Sequence, residues 1–446
     1  MKNLNIIITA HNDAEYVKLC IQSIRMYADV ENLSVILIDN NSSDGLSEWA
    51  MEQTDIAYIQ NDDDTMSYGK IINQVWDMLE LNDDFLLLDP HFILTPFCLS
   101  RMMQTLYEND EIAAVGPLYK CSHKNQNFEA VSDFEEAIAW SNQIVNCESK
   151  RVMFLSHEAI LIKANAFKKS NPFDENVHMP AYTILDYCLQ MIENNSHLKV
   201  CTSALIWNSL NISYATRNNK YDEELLRDKW GMHYFNSAGN EKLIKMIHHT
   251  KSAPINILEI GCDCGGTLLE IKNLFPNANV YGSEINASAA HIASHFAPVT
   301  VNNIEDYNLP YPPNMFDYIL FGDVLEHLHD PYKTIEYCKS LLKDTGHIVA
   351  SIPNLMHISV MKDLLKGNFT YTETGLLDKT HIHFFTYNEI IKMFEKCGYN
   401  VKEVTCITIE DAEPETELIN HLTGIYNTPS IMFETFQYVI YAGIQQ

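Results

Sequence analysis

The stretch that decides the fold is INILEIGCDCGG, residues 255–266, followed by the helical run 267–274 and by NVYGSE, residues 279–284. Residues 255–260 form a short apolar run of the kind that makes a buried parallel strand. It runs straight into the turn Gly261-Cys262-Asp263-Cys264-Gly265-Gly266. Glycines between a strand and a helix let a ligand approach the backbone closely. The next strand, residues 279–283, ends at Glu284, 25 residues after Glu259. That is near the spacing at which an acidic residue meets a ribose diol. Cys262 and Cys264 have no second cysteine pair, so the turn is read as a loop and not as a metal site.

Downstream, Asn302-Asn303-Ile304-Glu305 follows a third strand. Phe316-Asp317-Tyr318-Ile319-Leu320 makes a fourth, ending in Asp323-Val324-Leu325-Glu326-His327-Leu328. A strand over 347–352 leads to Pro353-Asn354, and a C-terminal strand over 437–442 reads as the last of the sheet. A segment dense in His and aromatics, Gly375 to Thr386, lies between them. These motifs resemble the class I S-adenosylmethionine-dependent methyltransferases, over residues 233–446, with a Rossmann-like fold. Asp263 stands where that family usually has Gly. The resemblance implies S-adenosylmethionine binding by Glu259, Gly261, Cys262, Gly265, Glu284, Ile285, Asn303, Ile304 and Asp323. It implies an acceptor base, His381, with His327 as runner-up. Either histidine alone also reads as a packed, hydrogen-bonded core residue.

The first half has the same alternation of strand and helix. Apolar runs at 4–9 and 33–38 flank a segment, 14–27, with Val17, Cys20, Ile21 and Ile24 at helical spacing. A βαβ unit places ligands at the carboxyl ends of its strands. Those ends hold Ala10-His11-Asn12-Asp13 and Asp39-Asn40-Asn41-Ser42-Ser43-Asp44-Gly45. A carboxylate there contacts a base or ribose, or caps the next helix. A later apolar strand, 85–88, ends in Asp89-Pro90-His91. A carboxylate two residues from an imidazole suits a divalent cation on diphosphate oxygens, or a simple turn cap.

With Tyr68-Gly69-Lys70-Ile71-Ile72-Asn73, Val115-Gly116-Pro117, Pro172-Phe173-Asp174-Glu175, Asp186-Tyr187-Cys188-Leu189-Gln190 and Lys229-Trp230-Gly231, this order resembles the family 2 glycosyltransferases of GT-A fold. The resemblance covers residues 1–232. It implies a nucleotide-sugar donor held by Asn12, Asp39, Ser42 and Asp89. It implies Mn²⁺ or Mg²⁺ on Asp89 and His91, and Asp186 as the base in an inverting transfer. His91 stands where the family has a second Asp, and imidazole suits Mn²⁺ better than Mg²⁺.

Composition sets the outer bounds. The chain has 446 residues, which is two or three domains by length. Lys and Arg total 30 against 59 Asp and Glu, a net charge of −29. So acidic a chain does not carry the basic face that nucleic acid needs, nor one for an anionic membrane. Hydrophobic residues at 46% give it a globular core. The 11 cysteines repeat in no framework, which points to free thiols in a reducing, cytoplasmic setting. No run is long and apolar enough for a membrane span. The expected whole is an α/β protein of two domains, 1–232 and 233–446. It joins sugar transfer to methylation of a sugar hydroxyl, on a glycan, lipid-linked or protein acceptor; the alternatives are a methyltransferase whose first half only binds a nucleotide sugar or glycan, and a non-enzymatic scaffold of a surface-glycan complex. Oligomerisation is compatible with this sequence.

Overall fold

A computed structural model describes residues 3–63, 65–119, 126–208, 219–232, 235, 238–409 and 415–445. The chain divides into two compact units, Met1–Ala238 and Gly239–Gln446. The expected division after residue 232 falls between the helix Lys220–Trp230 and the helix Glu241–Ile244.

The first unit is a mixed sheet with helices on both faces. Its strands are β1 (Leu4–Ala10), β2 (Leu33–Asn40), β3 (Ile56–Asn61), β4 (Asp84–Leu88), β5 (Phe92–Leu94), β6 (Ile112–Leu118), β7 (Ser149–Val152), β8 (Ala159–Ile162) and β9 (His197–Asn208). The sheet runs β3-β2-β1-β4-β8-β6-β9-β5, with β7 paired to β9. β1 is parallel to both β2 and β4. Successive strand residues face opposite sides. Leu4, Ile6 and Ile8 therefore enter one buried cluster and Ile7 the other. Because both faces are covered, the strands read as unbroken apolar runs. The carboxyl ends of β1, β2 and β4 come out side by side, which is where this half can build a site.

The second unit holds β10 (Asn256–Ile260), β11 (Asn279–Glu284), β12 (Val299–Val301), β13 (Phe316–Gly322), β14 (Leu342–Pro353), β15 (Tyr399–Ile407) and β16 (Gln437–Ile444). The order is β12-β11-β10-β13-β14-β16-β15. The first five strands are parallel, and β16 is antiparallel to both its neighbours. Here the structure sharpens the sequence reading. The C-terminal strand is not at the edge but inserted between β14 and β15. The burial explains the placement: Tyr438 to Ala442 are all buried, whereas β15 alternates with exposed positions, as an edge strand does. The strand order reverses at β10 and β13, so the crevice lies at their carboxyl ends.

No described helix is long and apolar enough to cross a membrane. The cysteines among the described residues are free thiols.

Candidate active sites

In the second unit the strand-to-helix turn is fixed by backbone geometry. Gly261 has φ +70°, and a Cβ there would sit 2.6 Å from Val324 Cγ2. Glycine is needed both for the conformation and for the space. Its N–H donates to the Ser283 carbonyl at 2.8 Å, which ties the turn to β11. Glu284, at the tip of β11, accepts the Asp263 N–H at Oε2 and the Asn286 N–H at Oε1, each at 2.9 Å. One carboxylate thus holds the turn after β10 and the start of the next helix. Behind the turn, Glu259 is buried, and burial pushes its carboxyl up to about 8. Cys262 is also buried, and Gly265, at φ +94°, packs against Ala293.

These ends surround a cavity of about 360 Å³. Gly261, Ile285, Asn303, Ile304, Asp323 and His327 line it. Of the predicted cofactor residues, Gly261, Ile285, Asn303, Ile304 and Asp323 touch the cavity, as does the candidate base His327, while Glu259, Cys262, Gly265 and Glu284 build its frame. Asn303 Oδ1 accepts the Glu305 N–H at 3.0 Å and so caps its own short helical turn. Asp323 has φ +56°, and its Oδ1 is bonded by Ser351 Oγ at 3.2 Å and by Gln437 Nε2.

His327 and His381 come together although 54 residues separate them in sequence. Their rings meet edge to face, with centroids 4.8 Å apart. The link is backbone: the Glu326 carbonyl accepts the N–H of Ile382 at 2.8 Å and of His383 at 3.0 Å. Burial, then the neighbouring His327, hold the His381 pKa below its ordinary value. Glu326 itself is 0% exposed, and neither carboxylate oxygen has a hydrogen-bond partner among the described residues. Burial, with Asp323 adding to it, pushes that carboxyl well above the usual range. In the sequence Glu326 stands inside the segment 323–328 with no role assigned to it. Its place between Asp323 and His327 was the available signal.

In the first unit the predicted donor residues also converge. Asp39 is buried; its Oδ1 accepts the Ser42 N–H and its Oδ2 the Tyr58 hydroxyl, both at 2.9 Å. Ser42 Oγ accepts the Asn12 N–H at 2.9 Å, and Asn12 Oδ1 accepts the Ser43 N–H at 2.8 Å. The loops after β1 and β2 are therefore laced together, with Asp39 making the turn contacts of a cap.

His91 occupies an arrangement that differs from the one expected. Its Nδ1 is 2.9 Å from Asp89 Oδ1 and its Nε2 is 3.2 Å from Asp13 Oδ1. Burial pulls the imidazole pKa down, but the bonds to Asp13 and Asp89 outweigh it and raise the value from 6.5 to about 9. An imidazolium with both nitrogens on carboxylates has no lone pair for a metal. His91 in this arrangement therefore offers no ligand atom to a divalent cation, while Asp89 meets His91 through Oδ1. Asp13, next to the expected Asn12, is the residue that sequence reasoning missed.

Asp186 likewise sits differently from a free base. It is fully buried. Trp230 Nε1 donates to Oδ1 at 2.8 Å, and Gln190 Nε2 to Oδ2 at 2.8 Å. Lys229 Nζ lies 3.0 Å from the same carboxylate and 2.7 Å from Asp174. The carboxylate ties the helix Pro180–Glu193 to the helix Lys220–Trp230. Both oxygens are spent on that lock.

Comparison with known proteins assigns each half. Residues 5–170 match the model of glycosyl transferase family 2. Residues 232–404 match that of a methyltransferase domain. The chain joins a family 2 glycosyltransferase domain to a methyltransferase domain. It is a transferase on both counts. The methyltransferase half is similar to the ubiquinone biosynthesis O-methyltransferase of Coxiella burnetii, with 23% identity over 217 residues, 46% of this chain and 90% of that protein. The protein of the same name from Glaesserella parasuis is 27% identical over 208 residues, 42% and 87% of the two chains. Among solved structures, a SAM dependent methyltransferase from Archaeoglobus fulgidus shares 20% identity at a TM-score of 0.34, over 50% of this chain and 94% of that one. Asp186 and the Lys229-Trp230-Gly231 segment lie beyond the stretch that matches the glycosyltransferase family.

Proposed function

We propose that the methyltransferase domain transfers a methyl group from S-adenosylmethionine to a sugar hydroxyl, and that the glycosyltransferase domain takes a nucleotide-sugar donor in the same glycan assembly. The observation that carries the reading is the cavity at the switch point of the second sheet. There the Gly261 turn would receive the amino-acid part of the cofactor, Glu284 the ribose, and Asn303 and Ile304 the adenine. His327 lines the same cavity with His381 against it, where an acceptor oxygen needs activation. Methyl transfer is a direct displacement, so the protein supplies alignment and help with the acceptor proton. The similar O-methyltransferases support oxygen as the methylated atom. Tethering two activities is useful where one product is the other's acceptor, because it raises the effective concentration.

In the glycosyltransferase domain, Asn12, Asp39, Ser42 and Asp89 are the proposed donor contacts. A second reading is favoured by two observations. Asp186 is locked by Lys229 and Trp230, and His91 is clamped by Asp13 and Asp89. On that reading this half binds a nucleotide sugar or glycan and transfers nothing. Two labels separate the readings, one on the sugar of a nucleotide-sugar donor and one on the methyl of S-adenosylmethionine. Incorporation of both supports the bifunctional enzyme, methyl alone supports the second reading, and neither removes both.

A further inference from the structure

The meeting of the turn after β13 with residues 378–383 has a second property. Glu326, His327 and His381 each place one donor atom within 4.8 Å of the other two. The Glu326 side chain is 0% exposed, and both oxygens are without a hydrogen-bond partner among the described residues. A buried carboxylate without a partner is costly, and such groups are rare without a ligand or ion to meet them.

The two imidazoles are prepared in a matching way. His327 Nδ1 lies 3.2 Å from both the carbonyl oxygen and Oγ1 of Thr380, whose hydroxyl donates its own proton to Asp378 Oδ1 at 2.6 Å. His381 Nδ1 lies 3.2 Å from the Leu376 carbonyl oxygen. A carbonyl can only accept, so these contacts assign the N–H to Nδ1 in both rings. Nε2 then keeps its lone pair. Holding Nδ1–H on a carbonyl is how proteins orient histidines that ligate metals. Two imidazoles and a buried carboxyl without a partner among the described residues meet in this cluster, and Glu326, whose burial favours the protonated form, gives up that proton when a cation binds. A cation satisfies all three at once.

We propose that Glu326, His327 and His381 bind a divalent first-row transition metal ion in the methyltransferase domain. Two imidazoles and one carboxylate suit Zn²⁺, Co²⁺ or Mn²⁺, and are poorly matched to Mg²⁺, which prefers oxygen ligands. Three protein ligands leave a coordination position open. His327 lines the proposed cofactor cavity, so that position serves an oxygen ligand of the acceptor class, a hydroxyl. The ion lowers the pKa of a hydroxyl bound to it, so that its proton leaves to solvent water in place of an imidazole, and the oxygen takes the methyl group as the sulfonium S–C bond breaks and the cofactor leaves as a thioether. This last step rests on the methyl-transfer reading of the site; the ion binding itself does not.

The test uses the full chain, stripped with a chelator and titrated with Co²⁺ by calorimetry and visible absorption. Crystals soaked in Zn²⁺ are examined for anomalous scattering. S-adenosylmethionine binding is titrated separately. The wild-type chain should take up Co²⁺ saturably, and the anomalous peak should lie among the three side chains. Glu326→Gln and His381→Ala should each weaken Co²⁺ at least ~10-fold while S-adenosylmethionine affinity stays within ~3-fold of wild type. Absence of saturable Co²⁺ uptake, or wild-type affinity in both variants, overturns the proposal, as does a Zn²⁺ peak found only elsewhere. Should a variant not fold, the wild-type crystal decides alone. Co²⁺ bound at these residues by a chain that does not bind S-adenosylmethionine supports the metal site and removes the methyl-donor reading.

Discussion

Replacing Asp186 by Ala separates a structural lock from a catalytic base. The substitution removes the acceptor of Trp230 Nε1, Gln190 Nε2 and Lys229 Nζ, all within 3.0 Å of the carboxylate. Breaking a buried charged pair by deleting one partner costs about 3–5 kcal/mol. Lys229 keeps Asp174 at 2.7 Å, so the lower end applies, about 3 kcal/mol. For a unit of this size each kcal/mol moves the melting temperature by about 2–4 °C, which gives a drop of about 6–12 °C. The assay is direct. All five tryptophans, Trp49, Trp76, Trp140, Trp207 and Trp230, lie in the first unit, so tryptophan fluorescence reports that unit alone. Asp186→Asn keeps an oxygen for Trp230 and should lose less than half as much. A melting temperature within 1 °C of wild type in Asp186→Ala, together with abolished sugar transfer, would refute the lock and restore the base.

Other outcomes follow from the same structure. Glu259 keeps its proton in the folded chain up to about pH 8, whereas the unfolded chain releases it near 4.5. Stability therefore falls as pH rises from 4.5 to 8 and is flat above. Glu259→Gln removes that slope and should stabilise the second unit at pH 7.5 by about 4 kcal/mol, with no gain near pH 4.5, by calorimetry. Gly261→Ala puts a Cβ 2.6 Å from Val324 Cγ2 at φ +70°; we expect about 1–3 kcal/mol of strain and at least a ~10-fold loss of S-adenosylmethionine affinity. Asp13→Asn removes one of the two carboxylates on His91, and its imidazole pKa, followed by NMR, should fall from about 9 towards 6.5.

Much of the architecture is legible in the chain itself. Buried parallel strands demand apolar runs, so β1, β2 and β4 show at once, while β10 and β11 are legible through the glycine turn between them and the acid at the tip of β11, and the loops after these strands hold Asn12, Asp39, Asp89 and Gly261. The glycine at 261 is legible for the same reason, since a strand-to-helix turn around a ligand leaves no room for a side chain. What the sequence hides is partnership at a distance. Asp186 and Trp230 are 44 residues apart, and nothing local says that the second consumes the first. His91 looks like a ligand until Asp13 closes on its other nitrogen. The edge position of β15 depends on where β16 inserts, a choice made by burial across the whole sheet. Glu326 is hidden in a different way: its burial without a partner is visible only once the fold surrounds it.

The central claim is that one chain carries two transferase domains serving one glycan, and its most direct test is a double-label incorporation experiment. The full chain is given a panel of nucleotide sugars with labelled sugar, S-adenosylmethionine with a distinguishable methyl label, and glycan acceptors. The account predicts both labels in the same product, with the methyl label alone lost in His381→Ala. Methyl label on an acceptor that carries no sugar, or sugar and methyl on unrelated products, would contradict it.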